Sequence, residues 1–213
     1  MAQSDAKLMR RNTSSGHIDL KNSLQKKVEY TLMAYLSGAF PMAEQGRLGY
    51  FECDPRSVLC FDSYHIPHRL VRRWRQRPFS FKRDTAFVQV VQGCREGRPE
   101  WISDELLAIY TELHQMGIAH SFEAWQEDKL VGGVYGMALG AAFLAESMFH
   151  RASHASNLCV VYMMELLQES GFDFCDIQYA NDHTLIFEPE QWPLSKFKEK
   201  FEQALTRQVQ LSS

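Results

Sequence analysis

The chain has 213 residues, of which 45% are hydrophobic and 23% charged, and a net charge of -3. These proportions exclude a disordered or fibrous polypeptide, and the length admits one large domain or one domain with a small N-terminal unit. No apolar run approaches the roughly 18 residues of a membrane span, and the polar start from Met1 to Asn22 lacks the apolar centre of a signal peptide, so a cytoplasmic protein is expected.

Residues 1–22, rich in Ser, Asn and basic side chains, read as a flexible arm. Val28, Leu32 and Leu36 with Tyr35 recur at helical spacing, and Gly38 then Pro41 end that helix. Pro41 to Pro67 is turn-rich, with a short strand predicted over Val58 to Phe61. Helices are predicted over residues 66–76 and 83–94, and from Ser103 or Asp104 to Met116, where Gly117 stops the run. Three strand-like runs follow, Ala119 to Gln126, Lys129 to Leu139 and Ala141 to Phe149, an antiparallel meander with turns at Glu127-Asp128 and Gly140. A helix from Ser156 to Glu169, a strand from Phe174 to Tyr179, a loop, and an amphipathic helix from Ser195 to Arg207 complete the chain. The order of elements points to an α+β architecture.

Five cysteines, Cys53, Cys60, Cys94, Cys159 and Cys175, form no CxxC pair and have no histidine at zinc-ligand spacing, so neither disulfides nor a metal are expected. His114, His120, His150, His154 and His183 show no paired ligand spacing and are assigned structural or surface roles. Gly132-Gly133-Val134-Tyr135-Gly136 falls inside a strand rather than at a strand-to-helix turn, which points to close backbone approach or a bulge and not to a nucleotide loop.

Three groups of residues carry chemistry. Asp176 and Gln178, two apart in the predicted strand, share a face. They fit either joint positioning of an attacking amine or plain strand-end bonding to backbone. Glu146 sits in the apolar run Phe143 to Phe149, where a carboxylate needs a partner: a substrate cation or an internal one such as Arg151. Between Arg69 and Arg83 every charged side chain is a cation: Arg69, Arg72, Arg73, Arg75, Arg77, Lys82 and Arg83, interleaved with Trp74, Phe79 and Phe81. This run suits phosphates and stacked bases, or else a solvated helix face.

Collinear blocks between residues 30 and 185 resemble the bacterial leucyl/phenylalanyl-tRNA-protein transferases. They are Leu32-Met33-Ala34-Tyr35, Asp54-Pro55-Arg56, Trp101-Ile102, Ala119-His120-Ser121, Leu130-Val131-Gly132-Gly133, Glu146-Ser147-Met148-Phe149 with Arg151, and Asp176 and Gln178 with Asn181-Asp182-His183-Thr184. The resemblance implies a flexible arm over 1–26, a small N-terminal domain over 27–66, and an acetyltransferase-like (GNAT-type) domain with a mainly antiparallel sheet over 67–213. It further implies a monomer that needs no cofactor and no metal. The implied reaction moves leucine or phenylalanine, with methionine as a further candidate donor in this chain, from aminoacyl-tRNA to proteins that begin with Arg or Lys, marking them for degradation by the N-end rule.

In the same resemblance Asp176 and Gln178 serve the transfer step, Glu146 contacts the reacting groups, and Trp101, Tyr50 and Phe51 adjoin the terminal adenosine. Val134, Phe143, Met148, Met163 and Cys175 form the pocket for the transferred side chain, and the basic run faces the tRNA. The chain departs from the family at Tyr50 and Phe51, where two tryptophans are usual, and after Thr184, where Leu185 to Pro189 replace a Ser-Leu-Gly turn. A coenzyme A acetyltransferase would need a pyrophosphate loop between Ala141 and Ser156, and none is present. A tRNA-binding module of the same fold without chemistry, and a transferase with diverged acceptor specificity, are the remaining alternatives.

Overall fold

The computed structural model describes residues 6–11, 24–44, 47–96 and 101–212. Helix α1 (Leu24–Leu36) buries Val28, Thr31 and Tyr35, one stripe at helical spacing. Strands β1 (Lys7–Arg10), β2 (Phe40–Glu44) and β3 (Arg47–Asp54) form an antiparallel sheet in the order β1-β3-β2. Within the predicted arm, therefore, residues 7–10 are a strand, paired from Lys7 opposite Asp54 to Arg10 opposite Phe51. All four side chains are exposed, so no apolar pattern marked them. The rest of the predicted arm lies outside the described residues, except residue 6, residue 11 and the start of α1.

The second sheet has seven strands in the order β10-β4-β9-β8-β7-β6-β5. They are β4 (Arg56–Leu59), β5 (Ser80–Arg83), β6 (Ala119–Gln126), β7 (Lys129–Leu139), β8 (Ala142–His150), β9 (Phe174–Asp176) and β10 (Glu190–Trp192). Every pairing is antiparallel except β8 with β9. The β6-β7-β8 meander matches the pattern of the sequence. Strand β4 belongs to this large sheet although it immediately follows β3 of the small one. Strands β5 and β10, of four and three residues, were not foreseen. The predicted strand over 174–179 stops at Asp176.

Helices α3 (Phe87–Arg95) and α4 (Asp104–Gln115) lie on one side of the large sheet and α5 (Ala155–Glu169) on the other. Adjacent glycines of β7 record the two sides. A Cβ on Gly132 would lie 2.6 Å from Cβ of Ala155 in α5, and one on Gly133 would lie 2.9 Å from Val90 in α3. Close backbone approach is thus the role of this glycine run. The start of α4 is capped as predicted, with Ser103 Oγ accepting from the Leu106 amide at 3.2 Å. Helix α2 (His68–Arg75) presents Leu70 to the core beside α5, and α6 (Leu194–Leu205) closes the chain with Phe197 and Phe201 buried.

Candidate active site

Strands β8 and β9 pair only from Ala142 opposite Phe174 to Leu144 opposite Asp176. Beyond that point β9 ends while β8 continues to His150, so the two chains part. The gap is a cavity of about 350 Å³ lined by Ala145 to His150 on one side and Ile177 to Tyr179 on the other. Glu146 enters it because of a bulge: Tyr135 pairs with Ser147 and Gly136 with Ala145, leaving Glu146 as the extra residue of β8. An extra residue bends a strand and re-aims its side chain. Gly136 is required opposite the bulge, since a Cβ there would lie 2.3 Å from the Leu144 carbonyl oxygen.

Among the described residues Glu146 makes no ion pair. Its carboxylate accepts from Gln178 Nε2 at 3.0 Å and from Tyr110 Oη at 3.1 Å, and Arg151, the internal partner considered from sequence, binds Glu96 instead. Burial pushes the Glu146 carboxyl up to about 7, against the pull of hydrogen bonds from Tyr35, Tyr110 and Gln178, and the nearby Asp176 charge adds to the rise. The phenols of Tyr35, Tyr110 and Tyr135 are raised by burial and then chiefly by neighbouring charges and phenols, Glu146 among them, so they stay neutral donors.

Asp176 occupies a different setting. It is fully buried and does not line the cavity. Arg56, also fully buried, donates from Nε to Oδ1 and Oδ2 at 3.0 and 3.1 Å and from Nη2 to Oδ2 at 2.8 Å. Its Nη1 donates to the Gly38 carbonyl at 3.0 Å, and its guanidinium lies 5.1 and 4.4 Å from the ring centroids of Phe40 and Phe197. Burial would lower the Arg56 pKa, but the Asp176 charge and hydrogen bonds outweigh it and raise it.

Asp176 Oδ1 also accepts the backbone N–H of Gln178 at 2.8 Å. The Gln178 carbonyl in turn accepts from the Ser57 amide at 2.8 Å and from Cys53 Sγ at 3.2 Å. These bonds hold Gln178 at φ 62°, in the left-handed region. The shared strand face inferred from the two-residue spacing is therefore corrected: Gln178 lies past the end of β9, and Asp176 grips its backbone while its amide side chain turns to Glu146.

The other sequence-derived candidates divide. Val134, Met148 and Met163 line the cavity together with Leu59, Val160 and Ile177, whereas Phe143 and Cys175 are fully buried behind that wall. Trp101 lines the cavity and is 43% exposed, placing it at the open end. Tyr50 and Phe51 do not line it. Both are buried in β3, Tyr50 with its Oη 2.8 Å from Thr31 Oγ1, because β3 is packed beneath α1. Side chains that pattern reasoning missed are Tyr110, hidden as an ordinary core position of α4, and His150 and His183, which line the cavity mouth with ring centroids 6.0 Å apart. The replaced loop after Thr184 forms a single 3₁₀ turn, Leu185–Phe187, anchored by the fully buried Phe187.

The basic run splits between α2, which carries Arg69, Arg72, Arg73 and Arg75, and β5, which carries Lys82 and Arg83, with Arg77 between them. Arg69, Arg72 and Arg73 line a hollow with Gln76, Ser153 and His154. The interleaved aromatics are not stacking platforms: Trp74 packs on Phe81 at 4.8 Å and Phe81 on Tyr162 of α5 at 5.4 Å, and Phe79 is buried. Arg83 bonds the Ser212 carbonyl and lies 3.4 Å from Asp84, and Lys82 lies 4.8 Å from the Trp125 ring centroid.

The family model described as leucyl/phenylalanyl-tRNA protein transferase matches residues 58–202. The chain belongs to this family. A leucyl/phenylalanyl-tRNA–protein transferase of Akkermansia muciniphila is 42% identical over 186 residues, covering 84% of this chain and 96% of the relative. One of Gloeobacter violaceus is 40% identical over 179 residues, covering 83% and 93%. Among solved structures, L-PGS from Bacillus licheniformis superposes with a TM-score of 0.45 at 13% identity, over 70% of this chain and 56% of that one. The family's residues from 58 onward include β8, β9 and α5, and hence Glu146, Gln178 and most of the apolar cavity wall.

Proposed function

We propose that this protein transfers leucine or phenylalanine from aminoacyl-tRNA to the N-terminal Arg or Lys of acceptor proteins, with the cavity between β8 and β9 as the reaction site. The observation that carries the reading is the Glu146–Gln178 pair at the edge of an apolar cavity. Leu59, Val134, Met148, Val160, Met163 and Ile177 would receive a neutral donor side chain, and the ester carbonyl would then lie beside the pair. A pocket of this kind discriminates single methylenes by only about 1–3 kcal/mol but excludes a charged side chain firmly. Methionine is therefore the third donor to test for this chain.

The acceptor's α-amine attacks the ester carbonyl carbon. A C–N bond forms, the bond from that carbon to the adenosine 3′ oxygen breaks, and the proton shed by the amine passes through the Glu146 carboxylate to the departing oxygen. Gln178 Nε2 is committed to Glu146, and no described residue donates to its Oε1, which is the atom offered to the amine. Asp176 and Arg56 act as positioning residues through the Gln178 backbone. The ester is already activated, so orientation supplies most of the acceleration, a term that reaches about 7–11 kcal/mol. Trp101 supports the terminal adenine at the open end. The cations of α2 and its neighbours support the tRNA backbone, with Arg69, Arg72 and Arg73 the best grouped. The parting of the parallel strands β8 and β9 is the feature that supports a GNAT-type layout, with α1 and the small sheet as an N-terminal unit. A cytoplasmic monomer completes the reading.

The test is transfer of labelled leucine, phenylalanine and methionine from their tRNAs to peptides beginning with Arg, Lys, Asp or Ala. Transfer to Arg and Lys peptides, abolished in Gln178→Ala, is expected. Binding of charged tRNA with no transfer to any peptide would overturn the reading in favour of a tRNA-binding module.

A further inference from the structure

Among the described residues that line the cavity, the charged ones other than histidine are two carboxylates, Glu146 inside and Glu96 at the rim. Glu96 directly follows α3, whose Gly93 presses on the Phe149 ring so closely that a Cβ would lie 2.8 Å from it. Arg151 of this same chain fills the space outside. It donates from Nη2 to Glu96 Oε1 at 2.6 Å, from Nε to Glu96 Oε2 at 3.3 Å and from Nη1 to the Leu130 carbonyl at 3.2 Å, and its guanidinium carbon lies 4.9 Å from the Phe149 ring centroid. A paired carboxylate, a carbonyl oxygen and an aromatic face are the three groups that recognise a guanidinium.

We propose that this cradle of Glu96, Phe149 and the Leu130 carbonyl reads the cationic first side chain of the acceptor, and that Arg151 holds it until an acceptor arrives. The inference rests on the transferase reading above. Three observations support the exchange. Phe149 and Glu96 both line the cavity, so a ligand inside it meets the cradle directly. Phe149 lies three residues beyond Glu146 on β8, a separation of about 10 Å, which matches the span from the α-amine to the charged tip of a long side chain. Finally, the Glu96 and Arg151 side chains are 62% and 44% exposed, and an exposed pair of this kind is weak and readily displaced. The fork of the cradle fits arginine in two bonds and lysine in one, so arginine acceptors bind more tightly than lysine acceptors.

The experiment is steady-state transfer at saturating aminoacyl-tRNA to three peptides that differ only in their first residue: arginine, lysine, and citrulline as the neutral copy of arginine. The intact protein prefers arginine to lysine to citrulline. In Glu96→Gln the KM for the arginine peptide rises roughly ten-fold, kcat and the KM for aminoacyl-tRNA stay put, and the preference over citrulline collapses. In Arg151→Gln the KM for the arginine peptide falls a few-fold as the internal competitor is removed. An arginine-over-citrulline ratio unchanged in Glu96→Gln, or a KM that fails to fall in Arg151→Gln, overturns the proposal. Absence of transfer by the intact protein to all three peptides would instead sink the transferase reading on which it rests.

Discussion

Asp176 and Glu146 are neighbouring acids that the fold treats in opposite ways. Asp176 is sealed with Arg56 behind the cavity wall, each fully buried and joined by three hydrogen bonds. Glu146 stands on a bulge at the cavity itself, and its donors among the described residues, Gln178, Tyr110 and Tyr35, are all neutral. An ion pair with all its bonds made fixes geometry, and Arg56 extends the fixation to the Gly38 carbonyl, tying the end of α1 to the end of β9. A carboxyl with neutral partners is left free to change its proton near neutral pH. Under the proposed mechanism, the comparison divides the work between a rigid acid that places Gln178 and a labile acid that handles the proton.

The largest effect should come from breaking the sealed pair. Asp176→Ala leaves a buried guanidinium without a counter-charge and should lower the unfolding free energy by about 3–5 kcal/mol, measured by urea denaturation, with transfer lost as Gln178 is released. The double change Arg56→Met with Asp176→Leu should regain most of that stability while transfer stays low, because the cap on the Gln178 N–H is still missing. If the double variant transferred at the native rate, the positioning role of the pair would be wrong.

Glu146→Gln should behave in the reverse manner. Removing a general base costs on the order of 10²-fold or more in rate, yet stability at pH 8 should hold or rise because no charge remains to be desolvated. The pH dependence follows from the raised carboxyl. In the native fold Glu146 keeps its proton up to about pH 7, whereas in the unfolded chain it releases it in the ordinary glutamate range. Its contribution to stability is thus complete below that range and is lost as the pH rises through about 7. Transfer runs the other way and gains as the carboxylate forms. Glu146→Gln should flatten both limbs in parallel urea and rate measurements across pH 5 to 9. A rate limb that survives would assign the proton to another group.

How far the sequence reveals this division depends on the kind of signal. The β6-β7-β8 meander and α4 were legible because each has its own period and boundary signals, the turn at Gly140 for the meander and the Ser103 cap and Gly117 stop for α4. Strands β1, β5 and β10 were not, since each is short, and β1 and β5 carry exposed charges that only pairing with a distant partner makes extended. Glu146, Asp176 and Gln178 were singled out from sequence and lie together in the fold, but their relation was misjudged: a two-residue spacing implies a shared strand face only while the strand lasts, and β9 ends at Asp176. The bulge that turns Glu146 inward is a property of the register between two strands and has no signature in β8 alone. Tyr50 and Phe51 are a different case, because an aromatic pair read from family resemblance as adenosine contacts is buried in β3, outside the cavity lining.

The smallest and sharpest test of the labile acid is Tyr110→Phe. The ring is nearly inaccessible and packs at 5.2 Å from Tyr135, so the variant keeps its packing and loses only hydroxyl bonds, at a cost of about 1 kcal/mol. One of those bonds reaches Glu146 Oε2 and favours the charged carboxylate. Without it the carboxyl should hold its proton to still higher pH, shifting the rate limb upward and reducing transfer at pH 7 a few-fold, with the rate recovering at pH 9. The Arg56–Asp176 pair makes no contact through this hydroxyl, so the kcat plateau at high pH should match the native one. A lowered plateau with an unmoved limb would mean that Tyr110 positions the site and does not tune its proton, and the contrast between a rigid and a labile acid would then rest on Gln178 alone.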